Sequence, residues 1–174
     1  MKKIIKFPLF VVLISLLFSS NWLSAEESFI PKPPSLNALN YILIDSVSGR
    51  ILAEKGADER IEPASITKIM TGYVAIDQIE KGFVNLDDEV LISENCWRKG
   101  GSKMFIREGT RVKLSDLIKG MVIQSGNDAS CAIAEHVAVS EEGFVELMQL
   151  YVTELGMENT QFKNVSGWPD PDHY

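Results

Sequence analysis

Pro63-Ala64-Ser65-Ile66-Thr67-Lys68-Ile69-Met70-Thr71 is the stretch from which the rest of the chain is read. Ile66, Ile69, Met70, Tyr73 and Val74 recur at spacings of three and four, which predicts a helix that begins near Pro63 and ends just before Gly82. Ser65 and Lys68 stand three apart, so on that helix they share a face and the amine can reach the hydroxyl. A serine hydroxyl needs a base before it becomes a nucleophile. A lysine becomes that base when burial lowers its pKa from about 10.4. Backbone N–H groups at the helix start could also receive a negative oxygen. Serine and lysine at this spacing also occur on ordinary solvated helices. The apolar flank argues against that here, because a buried lysine without a task is costly.

On the N-terminal side, Tyr41-Ile42-Leu43-Ile44 reads as a buried strand and Ile51-Leu52-Ala53-Glu54 as its partner. Asp45-Ser46-Val47-Ser48-Gly49-Arg50 supplies the turn of a β-hairpin. On the C-terminal side, residues 84 to 113 mix short strand-like pieces, Glu89 to Ile92 and Met104 to Ile106, around a turn at Gly100-Gly101. Ser115 is the expected cap of a helix through Ile123, with Asp116 in its first turn. Ser125-Gly126-Asn127 interrupts, a new helix runs from Asp128 to Val137, and Ser140 opens a last one that Gly156 stops. Ser125-Gly126-Asn127 lies 60 residues after Ser65. As a plain turn with a cap it needs no further meaning. Beside a serine nucleophile, however, its hydroxyl can relay a proton and its amide can grip a peptide group.

Lys2, Lys3 and Lys6, the apolar run Leu9 to Phe18 and the small residues of Leu23-Ser24-Ala25 form a secretory leader over residues 1–25. Its ten-residue apolar core is too short to span a bilayer of about 30 Å comfortably, so a retained anchor is the lesser reading. Residues 26–36, with Pro31, Pro33 and Pro34, form an extended arm, and residues 37–174 form the domain proper. Three lysines and no acid leave with the leader, so 17 basic residues become 14 against 24 acidic ones, a net charge of −10. That balance excludes nucleic acid as a partner, because phosphate binding rests on Lys and Arg. Cys96 and Cys131 could pair in an exported chain, or could be separate packed thiols. They do not make a metal site, and neither His136 nor His173 has a triad partner evident in the sequence. No cofactor or metal is expected.

Ser-x-x-Lys followed by Ser-x-Asn resembles the penicillin-binding proteins and serine β-lactamases. The wider text is similar to the low-molecular-mass D-alanyl-D-alanine carboxypeptidases. It matches at Tyr41 to Asp45, Ser48 to Leu52, Pro63 to Thr71, Gln124 to Ala129 and Phe162 to Trp168. The resemblance implies an α+β fold, an antiparallel sheet flanked by helices with a helical subdomain inserted. It implies a serine peptidase that removes the terminal D-alanine from peptidoglycan stem pentapeptides, with β-lactams as covalent inhibitors. Ser65 would form the acyl-enzyme, Lys68 would be the base, Ser125 would pass the proton to the leaving D-alanine, and Asn127 would hold the substrate backbone. It also implies an exported, periplasmic protein held at the outer face of the inner membrane by a C-terminal anchor.

The family's Lys-Thr-Gly motif, its later strands and that anchor do not occur within these 174 residues. The expectation is therefore a front part of a longer protein that does not turn over substrate alone. A class A β-lactamase would need a glutamate in a Glu-x-x-x-Asn loop, which Glu154 and Glu158 do not supply, and usually Asp where Gly126 stands. A D,D-endopeptidase shares the same residues. A penicillin-binding sensor or a wall-binding module would use the same pocket without turnover.

Overall fold

The computed structural model describes residues 34–174, so the expected leader and all but the last three residues of the arm lie outside the described residues. The chain divides into two units, one ending at Ala57 and one running from Asp58 to Tyr174.

In the first unit, β1 (Tyr41–Ile44) pairs antiparallel with β2 (Ile51–Lys55), with Tyr41 opposite Lys55 and Leu43 opposite Ala53. The register slips between Leu43 and Ile44. The turn is built on Asp45, whose Oδ1 accepts from the Ser48 hydroxyl at 2.6 Å and the Ser48 amide at 2.7 Å. Those bonds hold the Asp45 carboxyl below its usual range. Gly49 closes the turn at φ +70°, where a side chain would be strained. The hairpin is where the sequence placed it, but β1 is not buried: Ile42 and Leu43 are 50% and 56% exposed. Two strands offer each other backbone bonds but no covered face.

The second unit begins with a 3-10 turn at Ala64–Ile66 that runs into α1 (Thr67–Glu80). Gly82, at φ +76°, takes the left-handed position that ends the helix. β3 (Glu89–Leu91) pairs antiparallel with β4 (Arg111–Lys113), Val90 opposite Val112. Between them lies α2 (Glu94–Arg98), whose cap Ser93 accepts from Cys96 N at 3.1 Å. α3 (Leu114–Gln124), α4 (Asn127–Ala138) and α5 (Glu141–Glu154) follow, and Ser140 caps α5 as expected by accepting from Gly143 N at 3.0 Å. Helices with small antiparallel sheets make an α+β protein.

Two local expectations fail for reasons visible in the hydrogen bonds. Ser115 is not a cap: α3 starts one residue earlier. Its first amides, Leu114 N and Ser115 N, donate to Asp88 O and Leu86 O, so the loop before β3 does the capping. Met104 to Ile106 is not a strand either. Its amides donate to the Asp128 carboxylate at 2.8, 2.9 and 3.3 Å, which removes them from any ladder.

The core has two clusters, and α4 belongs to both. One gathers Val90, Ile92, Leu114, Leu117 and Met121 around Ala129 and Ile133. The other gathers Met70, Val74, Phe144, Met148 and Phe162 around Ala134. Residues 127–134 of α4 are all buried, and Ala129, Ser130, Ala132 and Ala134 are small enough for α1, α2, α3 and α5 to approach closely. Cys96 of α2 and Cys131 of α4 form a disulfide with both residues fully buried, which decides the pairing that the sequence left open. Among the described residues no helix is long and apolar enough to cross a membrane.

Candidate active site

Ser65 sits in the 3-10 turn that leads into α1, with its side chain open to solvent. The turn is tight enough to put Ala64 at φ +46°. Lys68 is one helical turn on and only 8% exposed; its Nζ donates to Ser65 Oγ at 3.2 Å and to Ser166 O at 2.7 Å. Burial holds the Lys68 amine below its ordinary pKa, the shift a base requires. Ser125 ends α3 in the left-handed conformation, φ +54°, and its hydroxyl donates to Ser65 Oγ at 3.1 Å. A lysine amine and a second hydroxyl thus converge on one serine oxygen. The arrangement can take a proton from Ser65 and carry one away to a leaving group.

The helix-start donors expected from sequence are fewer than supposed. Ile66 N donates to Pro63 O, and Thr67 N to Ala64 O and Ser65 O, so of the amides from Ser65 to Thr67 the Ser65 amide is the candidate oxyanion donor. Asn127, 8% exposed, opens α4. Its Nδ2 donates to Gly100 O at 2.8 Å and its backbone N to Ser102 O at 2.7 Å. It lines a cleft of about 420 Å³ together with Lys99, Gly100, Asn164, Ser166 and Trp168. Gly101 is required here: a Cβ would lie 2.7 Å from the Asn127 amide nitrogen and 3.2 Å from the Trp168 ring. Of the four residues singled out from the sequence, Lys68 and Ser125 meet on the Ser65 oxygen, while Asn127 faces a cleft that it shares with Ser166, whose carbonyl holds Lys68.

Several residues that organise the site carry no chemistry of their own, and sequence reasoning passed over them. Asn164, given no role of its own within the Phe162 to Trp168 match, accepts at Oδ1 from Ser166 N, Gly167 N and Trp168 N and fixes the loop that offers Ser166 O to Lys68. Gly167, at φ +79°, lies so close to Ala64 that a Cβ would overlap the Ala64 carbonyl. Asp128 is fully buried and bonds the segment after Ser102, whose carbonyl holds Asn127. At Gly126 a Cβ would sit 2.9 Å from Asp128 Oδ1 and 3.0 Å from Met104 N, so this position has no room for the Asp of a class A β-lactamase. His136 pairs with an acid that the sequence reading did not name: Asp88 Oδ2 is 2.9 Å from its Nε2, and the pair joins α4 to the loop before β3. The cluster Cys96, Cys131 and Glu135 is no metal site, since its sulfurs are spent in the disulfide and supply no thiolate.

The fold and the site define an α+β protein with a serine, lysine and second serine gathered at a helix start. The chain belongs to the D-alanyl-D-alanine carboxypeptidase family, whose profile matches residues 27–174. It is 41% identical over 164 residues to D-alanyl-D-alanine carboxypeptidase DacC of Escherichia coli K12, which covers 91% of this chain and 40% of that protein. Penicillin binding protein 5 from Haemophilus influenzae is 40% identical, with a TM-score of 0.79 over 83% of this chain and 43% of its own. Penicillin binding protein 6B from Escherichia coli is 37% identical, with a TM-score of 0.77 over 84% of this chain and 48% of its own. The fold expected from the resemblance is thus borne out. The chain spans about 40% of the length of the curated relative DacC.

Proposed function

We propose that the protein to which this chain belongs is a serine-type D-Ala-D-Ala carboxypeptidase of peptidoglycan stem pentapeptides. The observation that carries the reading is the convergence of Lys68 Nζ and Ser125 Oγ on Ser65 Oγ, at 3.2 and 3.1 Å. Neutral Lys68 takes the Ser65 proton as Oγ attacks the carbonyl of the penultimate D-alanine. The Ser65 amide faces the developing oxyanion. As the tetrahedral intermediate collapses, the peptide C–N bond breaks, and the proton passes through Ser125 to the amine of the departing D-alanine. Water then hydrolyses the Ser65 ester, with Lys68 again as base, and releases the shortened peptide. Asn127 holds the substrate backbone, and the pocket's third motif, Lys-Thr-Gly, is expected outside these residues. β-Lactams acylate Ser65 by ring opening.

The same reading makes this an exported protein, with residues 1–25 as its leader. It acts in the periplasm and is held at the outer face of the inner membrane through a C-terminal anchor. No cofactor takes part. The crowding at Gly126 supports the peptidase over a class A β-lactamase. Fluorescent penicillin should label the full-length protein and not Ser65→Ala, and the wild type should release D-alanine from a pentapeptide. Labelling without release would make it a sensor, and no labelling with Ser65 intact would overturn the reading.

A further inference from the structure

The loop from Gln161 to Tyr174 closes on itself, with Gln161 N donating to Tyr174 O at 2.7 Å and Tyr174 N to Gln161 O at 2.9 Å. Three bonds join this loop to the start of α1: Lys68 Nζ to Ser166 O, Thr71 Oγ1 to Val165 O at 2.7 Å, and a side-chain pair between Thr67 and His173. Only the last involves a side chain from the loop. His173 is 3% exposed, and its ring meets Phe162 edge-on at 5.5 Å. Its Nδ1 accepts from Lys163 N at 3.1 Å, so that nitrogen carries no proton and Nε2 does. Nε2–H therefore donates to Thr67 Oγ1, 2.7 Å away. One neutral ring thus binds the loop internally and binds it to the residue next to Lys68.

We propose that His173 is a positioning residue for acylation: through Thr67 it holds the loop in the place where the Ser166 carbonyl aims the Lys68 amine at Ser65. The proposal rests on the reading of Ser65 and Lys68 as nucleophile and base. The amine has two partners, Ser65 Oγ and Ser166 O, and the second fixes where the first is met. A loop displaced by about 1 Å costs a reaction of this kind on the order of a hundredfold. Thr67 meets Ser65 through its backbone amide, which the substitutions keep, whereas its side chain bonds His173, so the effect of these two side chains on rate passes through Lys68 and the loop.

The test uses the full-length protein with His173→Phe, His173→Gln and Thr67→Val, read by the second-order rate of acylation with fluorescent penicillin and by thermal midpoint. His173→Phe should lower acylation roughly ten- to a hundredfold. It should also shift the alkaline-rising limb of the pH profile that reports the Lys68 amine. His173→Gln, whose amide can both donate and accept, should recover part of the rate. Thr67→Val should lower it in the same sense, and the Thr67→Val/His173→Phe double variant should be no slower than His173→Phe. Folded variants that acylate within twofold of the parent, whatever their thermal midpoints, would overturn the proposal, as would independent, multiplying effects of the two substitutions. A parent protein that takes up no penicillin sinks the nucleophile reading and this proposal with it.

Discussion

At the scale of single residues, the amine proposed as the base is set by where its stem lies. Lys68 is buried by helix and loop, and that burial favours the neutral amine. A lowered pKa means that the reactive form accumulates below the ordinary value of 10.5. Acylation of the full-length protein by penicillin should rise with pH along a limb that turns over below that value. Lys68→Arg should abolish the limb, since a guanidinium does not deprotonate, and lower the rate by about a hundredfold or more. A limb centred at the value of an exposed lysine would show that the amine is not the base. Ser65, Lys68, Ser125 and Asn127 stood out in the sequence because each carries a reactive or recognising group at a recurring interval. Asn164, Gly167 and His173 did not, because they act by holding backbone. Asn164 and Gly167 fall within the Phe162 to Trp168 match, but all three are residue types that also fit ordinary loops, and no role could be read from them.

At the scale of elements, Asp128 links the chemistry to the packing. One buried carboxylate takes the amides of Met104, Phe105 and Ile106, which follow directly on the turn whose Ser102 carbonyl receives Asn127 N. Removing that acceptor leaves several donors unpaired at about 1–3 kcal/mol each, so Asp128→Ala should cost roughly 3 kcal/mol or more in urea unfolding. Asp128→Asn keeps one acceptor oxygen and should cost less. If Asp128→Ala unfolds at the parent's urea concentration, the segment is held by something else. The same residue explains one limit of sequence reading. Met104-Phe105-Ile106 has strand chemistry, yet a carboxylate more than twenty residues later claims its amides, and no local pattern announces that. Periodic elements were legible: α1, α4 and α5 follow their apolar spacing. α2, at five residues, is too short to display a period, and β3 and β4, at three residues each, offer little alternation to read.

At the scale of the molecule, the second unit is organised around α4, which both core clusters share and which the disulfide fastens to α2. The bridge spans 35 positions. On loop-closure grounds, losing it should destabilise the fold by about 4 kcal/mol at most. The Cys96→Ala/Cys131→Ala variant should show that loss in chemical denaturation. A variant as stable as the parent would mean that packing alone holds α2. That the cysteines pair was beyond the sequence, because pairing depends on α2 crossing α4, a distance no spacing encodes. The hairpin was legible as a hairpin, but its burial was not, since burial is decided by what lies against it.

The position of that bridge has a practical side. Cys96 lies four residues before Gly100, whose carbonyl grips the Asn127 amide, and Cys131 lies four residues after Asn127. Protein prepared with the bridge open and protein prepared with it closed therefore differ close to the Asn127 amide. A thiol assay that reports whether Cys96 and Cys131 are free or paired should accompany every batch before its kinetics are compared with another's.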